Sequence, residues 1–513
     1  MAPSRRIRVL LLMPIFALVI PASARRTGSA LPLEFRAMWV DAFHAGIRTP
    51  QEATQLVANA KQANFNTLIV QVRRRADAYY RQSFEPPPED PDYDPSFDAL
   101  AYIVELAHRE HLEVYAWLNA MLVWSGQTTP RDPTHVFNQH GVSQSGENNW
   151  LTASPSGEEK YRGGYFLDPG HPAAAEYLAR VCVNLVNNYQ IDGIHLDFIR
   201  YPESLKIMEQ GAPVGYNTTS VARFQRATGR QDTPLPKDSQ WSEWRRLQIT
   251  QVMRRIYLES KALNPRIRVS AALIAWGEPP SNEEDFQRTA PMQVVFQDWH
   301  EWLKEGILDL AIPMDYVRED VPKVREWFNG WLRWEKRHKH GRQLAVGLGA
   351  YLNRPEDTLA QVQRVRQAEH GKTADGLSLF SYAHLMKASA RKVTSSSALK
   401  SVAEPVTPLS PISFFSESGA FAQKAVVPTP EWLTTPGTGW IAGTVREAGK
   451  PADGSWVVLR RSGWFHKTHR TQSDGNGFFG FSALKPGHYR VRAGSGKPVV
   501  VEVIAGQVAH TEI

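Results

Sequence analysis

The sequence predicts a (β/α)8 TIM barrel followed by a small all-β sandwich domain, an α/β architecture with an appendage, and three observations predict it. From Phe35 to about Met386, eight short β-rich apolar runs alternate with amphipathic helical patterns, the signature of parallel βα units. From Val402 to about Thr438 that periodicity stops and Pro, Ser and Thr dominate, as in a linker. From Gly439 to Ile513, short β-rich runs alternate with turn clusters. A chain of 513 residues is also too long for one core, since single cores stop growing near about 250–300 residues. The expected division is a signal peptide over 1–24, a barrel over 33–395, a linker over 396–438 and a β-sandwich over 439–513.

The barrel strands are predicted at Phe35–Val40, Thr67–Val72, Val114–Leu118, Gly193–Phe198, Arg268–Ile274, Leu308–Met314, Leu344–Gly349 and Gly376–Tyr382. Helix starts punctuate them. Thr49-Pro50-Gln51-Glu52 reads as a capping box with Pro at the first helical position, and Asp94-Pro95 is predicted to open a helix with Phe97, Leu100, Val104 and Ala107 on one face. A doubly wound sheet is disfavoured because Asp41-Ala42-Phe43-His44, not a glycine-rich phosphate loop, follows the first strand. The longest insertion runs from Met121 to about Phe166, and its Trp124, Trp150, Tyr161 and Tyr165 either wall a cleft or pin the loop to the barrel. In the last segment, strands are expected at Trp440–Val445, Trp456–Arg460, Phe478–Phe481, Tyr489–Ala493 and Val499–Ile504.

Arg5, Arg6 and Arg8 precede an apolar run from Val9 to Ile20, then Pro21 and Ala22-Ser23-Ala24, which together read as a secretory signal and its cleavage site. The run is shorter than the roughly 20 residues that span a membrane, so the expectation is an exported, soluble protein without a transmembrane segment, periplasmic or extracellular. Hydrophobic residues at 42% and charged residues at 22% exclude disorder, collagen and coiled coil. The single cysteine, Cys182, excludes an internal disulfide and sits with Leu178, Val181 and Leu185 at helical spacing, which makes it a core residue rather than a nucleophile. The net charge of +7 comes from scattered arginines, three of them in the signal segment, so nucleic acid is not expected as a partner.

In such a barrel the reacting groups stand at the carboxyl ends of the strands. Strand four, Gly193-Ile194-His195-Leu196-Asp197, places His195 and Asp197 on one face, followed by Arg200 and Tyr201. Asp197 is the first candidate for the ionised carboxylate of a glycosidase pair. Asp315, after strand six, and Glu278, after strand five, are candidates for the second carboxyl, and Asp41 and Asp298 are further acids near strand ends. Trp39, Trp117, Trp276, Tyr316, Tyr351 and Tyr382 are expected at the mouth, where flat rings stack on sugars, with Gln71, Arg73 and Asn119 as hydroxyl or carboxylate partners. His195 is either a ligand-orienting residue or a satisfied core histidine. No metal-ligand or cofactor motif is found, and the chemistry requires none.

Phe35-Arg36-Ala37-Met38-Trp39-Val40, Val72-Arg73-Arg74-Arg75-Ala76-Asp77-Ala78-Tyr79-Tyr80, Asp192-Gly193-Ile194-His195-Leu196-Asp197-Phe198-Ile199-Arg200-Tyr201-Pro202, and Gln297-Asp298-Trp299 with Pro313-Met314-Asp315-Tyr316 resemble the glycosyl hydrolase-like family 10. The resemblance implies a TIM-barrel glycoside hydrolase-like protein of the bacterial envelope, with some relatives acting on peptidoglycan glycan strands, and Asp197 matches the family's strand-four acid. The chain departs from many relatives in lacking a lipobox Cys and in carrying Ala37 and Ala76 where Gly is frequent. Ile441-Ala442-Gly443-Thr444-Val445 and Ser473-Asp474-Gly475-Asn476-Gly477, with Leu484-Lys485-Pro486-Gly487-His488-Tyr489, resemble a carboxypeptidase regulatory-like β-sandwich. The function these readings imply is hydrolysis of O-glycosidic bonds in an envelope or extracellular polysaccharide by paired carboxylates. The alternative is a non-catalytic glycan-binding protein on the same scaffold.

Overall fold

The computed structural model of the chain describes residues 31–203, 211–387, 415–417, 419–463 and 468–513. The predicted signal segment and residues 396–414 of the predicted linker lie outside them. Eight parallel strands close into a barrel: β1 (Phe35–Val40), β2 (Thr67–Arg73), β3 (Glu113–Asn119), β4 (Gly193–Asp197), β5 (Arg268–Leu273), β6 (Leu310–Asp315), β7 (Gln343–Gly349) and β8 (Gly376–Phe380), with β8 pairing back onto β1. Alternation divides each strand between two cores. Phe35, Trp39, Ile69, Tyr115, Trp117, Leu310 and Ile312 fill the interior, while Met38, Val40, Leu68, Val70 and Leu348 face the surrounding helices. Because both faces are covered, the strands read as near-continuous apolar runs.

The helices that follow the strands are α1 (Pro50–Gln62), α2 (Ala99–Arg109), α3 (Pro172–Asn188), α4 (Ser239–Leu263), α5 (Trp299–Glu305), α6 (Pro322–Arg337), α7 (Pro355–Arg366) and α8 (Tyr382–Lys387). Thr49 caps α1 as expected, its side chain accepting from the Glu52 N–H at 3.2 Å, with Pro50 in the first turn. The second helix starts later than Asp94-Pro95 suggested. Asp98 is its cap, accepting from Ala101 N–H, and Asp94 instead forms a local turn onto Ser96. In the Met121–Phe166 insertion, short strands at Leu122–Trp124, Lys160–Tyr161 and Gly164–Phe166 form a small sheet. Its aromatic residues pin the loop: Trp124 stacks on Phe137, Trp150 stacks on His140 at 3.5 Å, and the Tyr161 hydroxyl donates to Pro213 O.

The C-terminal region is a sandwich of two sheets. Its strands are β9 (Gly439–Thr444), β10 (Trp456–Arg461), β11 (Thr468–Gln472), β12 (Phe478–Leu484), β13 (Gly487–Ala493), β14 (Val499–Val503) and β15 (Val508–Glu512). One sheet runs β12-β9-β15 and the other β11-β10-β13-β14, with Ile441, Val457, Leu459, Phe479, Phe481, Val491 and Val501 between them. The three-stranded sheet packs on α4. At Gly480 a Cβ would meet Leu258 Cδ1 at 2.0 Å, so the absence of a side chain there permits the approach. Polar contacts fix the docking: Arg223 pairs with Asp453 at 2.7 Å, Gln251 donates to Ser473 O, and Asn476 donates to Pro172 O. This explains why α4 is buried on several faces, with Trp241, Ile249, Val252 and Tyr257 among its buried residues.

Residues 419–438, within the predicted linker, lie against the lower end of the barrel. Val426 bridges Leu33, Gln423 O accepts from Arg36, and Pro428 O accepts from Gln343 at 2.7 Å and from Arg268 at 3.5 Å. Phe421 packs edge-on to Phe65.

Candidate active site

Strand β4 ends at Asp197, one residue earlier than the sequence suggested, because Phe198 adopts a left-handed backbone with φ of 51°. That conformation is costly for a residue with a Cβ and is held by its surroundings. It turns the chain sharply, so that the Phe198 N–H donates back to Asp197 Oδ1 at 2.7 Å while Arg200 Nη1 donates to the same oxygen at 3.1 Å. The Arg200 guanidinium in turn lies over the Phe198 ring at 4.3 Å. Asp197 Oδ2 has no hydrogen-bond partner among the described residues and is in contact with solvent. Arg200 also comes within 4.0 Å of Glu203, whose side chain is 34% exposed. Two carboxylates therefore share one buried arginine at the end of β4.

Aromatic rings floor and flank this position. Trp39, Tyr316, Phe380 and Tyr351 meet in a chain of edge and tilted ring contacts with centroids 5.6–6.2 Å apart, and the Trp117 ring stands edge-on to Phe380 with centroids 6.3 Å apart. Burial, reinforced by the nearby Asp197 carboxylate, pushes the Tyr316 hydroxyl well above its ordinary range, so it remains a neutral hydrogen-bond donor. Tyr351 is 44% exposed at the rim. Beneath the rings, Trp39 Nε1 donates to His195 Nε2 at 3.0 Å, His195 Nδ1 donates to Ser270 Oγ at 3.0 Å, and Ser270 donates to Ile194 O. This chain fixes the histidine tautomer. Burial holds the His195 imidazole down to about 3, so it is a neutral, fully satisfied interior residue.

A second polar group lies where β1 and β8 end. Asp41 Oδ1 accepts from His44 Nδ1 at 2.7 Å, Asp41 Oδ2 accepts from Ser381 Oγ at 3.2 Å, and Ser381 also meets His384 Nδ1 at 3.1 Å. Gln71 and Asn119 line the wall between β2 and β3. Gln71 accepts from Ala42 N–H and donates to Asn119 Oδ1, which leaves both side chains engaged with the protein.

Residues 34–350 match the model of the family described as Glycosyl hydrolase-like 10. The chain belongs to this family. Among curated proteins it is similar to Glycosyl hydrolase YngK of Bacillus subtilis, with 23% identity over 394 residues covering 71% of each chain. It is also similar to Glycosyl hydrolase DigH of Escherichia coli, with 23% identity over 242 residues covering 44% of this chain and 47% of that one. Among solved structures, the PgaB (BpsB) glycoside hydrolase domain of Bordetella bronchiseptica aligns with a TM-score of 0.48 and 15% identity, covering 69% of this chain and 96% of that one.

Several of the residues picked out by sequence for this Glycosyl hydrolase-like 10 barrel are held away from the mouth. Asp315 shares the parity of Ala311 and Pro313, so its carboxyl faces α6, where it and Glu335 form a fully buried pair. Burial drives both acids upward, with each disfavouring the other's charge, so this buried pair favours its protonated forms. Glu278 lies exposed on the loop after β5. Asp298 caps α5 by accepting from Glu301 N–H at 3.2 Å. Arg73 makes a forked, fully buried pair with Glu85 and also donates to the Asn119 carbonyl, so it braces β2 against β3. Tyr201 is buried, its hydroxyl directed to Asp168 at 3.4 Å. Tyr382 belongs to α8 and accepts from Asn59 of α1, because β8 ends at Phe380. Trp276 is half-buried beside a cavity of about 400 Å³ that Asp315, Tyr316, Trp327 and Trp331 also line, so Asp315, though buried against α6, borders this cavity.

Sequence reasoning brought Asp197, Arg200, Trp39, Trp117, Tyr316 and Tyr351 together, and missed Glu203, Phe380, His44, Ser381 and His384. Glu203 directly follows the Arg200-Tyr201-Pro202 run and was within reach of the same argument. The predicted eighth strand, Gly376–Tyr382, took in Ser381, whereas His384 lies beyond it on α8.

Proposed function

We propose that this protein is an exported glycoside hydrolase that cleaves O-glycosidic bonds of an envelope or extracellular polysaccharide, with peptidoglycan glycan strands as the first substrate to test. The observation that carries this reading is Asp197. One oxygen is fixed by a backbone N–H and by Arg200, the other is open to solvent, and the carboxylate stands beside a bowl of aromatic rings. An oxygen so held can meet an anomeric carbon as nucleophile, or stabilise an oxocarbenium-like transition state, without first reorganising. The rings supply stacking surfaces for pyranose faces, and the neutral Tyr316 hydroxyl donates to a sugar oxygen. A second carboxyl must give a proton to the leaving oxygen. Glu203 is the proposed donor, being half-exposed on the loop that carries Arg200; Asp315 is committed to Glu335, and Glu278 stands out on a separate loop. Export rests on the signal-like segment at 1–24.

The test is release of new reducing ends from purified peptidoglycan glycan strands, with and without stem peptides, comparing the mature protein with Asp197→Asn and Glu203→Gln. The expected result is activity in the unmodified protein and a loss of at least about 100-fold in either variant. A second reading, glycan binding without hydrolysis, is favoured by the ion pair between Asp197 and Arg200. Retained binding with no new ends from any of the three proteins selects it.

A further inference from the structure

The four-stranded sheet of the sandwich turns one face to its own core and the other to solvent, and the outer face is unusually cationic. Cross-strand pairing defines it. Arg460 on β10 stands directly opposite Arg490 on β13, and Val458 on β10 lies between Arg470 on β11 and Arg492 on β13. Trp456 and Gln472 form the next row, and Val500 of β14 extends the row of Arg490. All four arginines are exposed, Trp456 is 55% exposed and Val500 60% exposed. Strand alternation puts them together on one surface while Val457, Leu459, Tyr489, Val491 and Val501 are buried on the other. None of the four guanidinium groups is ion-paired to a described carboxylate, and among the described residues of this face the one acid, Glu502, stands at its edge opposite His488.

Like charges placed directly opposite across a sheet destabilise it, and a solvated surface ordinarily intersperses both signs. Here four guanidinium groups fill two successive rows and a largely exposed indole stands in the row beyond Arg470 and Arg492, and the sheet opposite, not this one, is the one that packs on α4. Among the described residues the array's one side-chain hydrogen bond runs from Arg460 Nε to Thr468 Oγ1 at 3.1 Å, which leaves Arg470, Arg490 and Arg492 without a side-chain partner. Two rows of arginines match closely spaced carboxylate or phosphate groups, and an indole in the adjoining row matches the face of a sugar ring.

We propose that this face is a binding site for an anionic polysaccharide, with Arg460, Arg470, Arg490 and Arg492 pairing to its charges and Trp456 stacking on its sugars. The choice of a glycan over other polyanions leans on the glycosidase reading of the barrel. The binding itself does not, because the site is separate from Asp197 and is read out without hydrolysis.

The experiment measures binding of the full-length protein to immobilised polygalacturonate, to a glycerol-phosphate polymer, to neutral dextran and to double-stranded DNA. It then repeats the series with R460Q/R470Q/R490Q/R492Q and with W456A. The expected result is salt-sensitive binding to at least one of the two charged polymers, at least tenfold weaker in the quadruple variant and severalfold weaker in W456A, with dextran not retained. Preference between the carboxylate and the phosphate polymer identifies the anion. Charge-conserving R460K/R470K/R490K/R492K retains most of the binding, and unchanged far-ultraviolet circular dichroism shows that the sandwich is intact. Equal binding by the quadruple variant, equal retention on dextran, or DNA bound more tightly than either charged polymer overturns the proposal. Reducing-end assays on Asp197→Asn bear on the barrel alone, so failure of one reading does not touch the other.

Discussion

Replacing His195 with Gln removes the titratable member of the Trp39–His195–Ser270 chain and makes acid stability a direct readout of the barrel interior. In the folded protein burial holds this imidazole down to about 3, whereas in the unfolded chain it titrates near 6.5. Above pH 6.5 both states hold the ring neutral and it contributes no pH dependence. Below that value the unfolded chain takes up a proton that the folded barrel refuses, so stability falls as pH falls, by about 1.4 kcal/mol for each pH unit until the folded value is reached. Between pH 6.5 and pH 5 this amounts to about 2 kcal/mol. His195→Gln carries no such proton. At pH 7.5 it is less stable than the unmodified protein by about 1–3 kcal/mol, through imperfect hydrogen bonding and packing; at pH 5 that deficit shrinks by about 2 kcal/mol. Urea unfolding followed by tryptophan fluorescence at the two pH values measures it. His171 and His300, both held down to about 4 by burial, are present in both proteins and cancel in the difference. A deficit that is equal at both pH values, or larger at pH 5, refutes a buried neutral His195.

The other predictions concern residues whose structural and functional readings diverge. Glu85→Gln leaves the Arg73 guanidinium buried without a countercharge and lowers stability by about 3–5 kcal/mol in thermal or urea unfolding; a loss below about 1 kcal/mol speaks against a bracing pair. Asp298→Ala costs about 1 kcal/mol of stability by removing the α5 cap and leaves polymer turnover unchanged, so a drop in kcat at full stability would return Asp298 to the site. Trp276→Ala raises KM for a long glycan by about threefold to tenfold while kcat and the KM of a short one stay put, and equal effects on both lengths exclude a role in the cavity it borders.

The barrel was legible because its signal is redundant. Eight apolar runs at the right spacing leave a closed parallel sheet as the natural solution, and errors of one or two residues at strand ends do not alter it. Those same errors mattered at the site. A strand's last residue faces either the mouth or a helix, and Asp315 falls on the helix side by the alternation that puts Met314 inside; its partner Glu335 lies in a helix that no local pattern connects to it. His195 and Arg73 are similarly decided by partners distant in sequence, Ser270 at 75 residues and Glu85 at 12. Ala76 was closer to readable. The resemblance suggests a glycine at this position, and Ala76 adopts φ of 59°, the conformation for which glycine is favoured. The cationic sheet face was invisible because arginines spread over three strands look scattered along the chain until pairing lines them up.

The tail that lies across the lower end of the barrel gives the molecule a defined line of force. Pro428 is held by Gln343 and Arg268 at the bases of β7 and β5, and beyond it the sandwich rests on α4 and α5. Tension applied to the sandwich therefore enters the barrel at its base and outer helical layer, and through Arg223 and Asp453 it also reaches the long connection that begins at Asp197 and Arg200. A molecule pulled by its tail is loaded at its base and at the far end of its β4–α4 connection together.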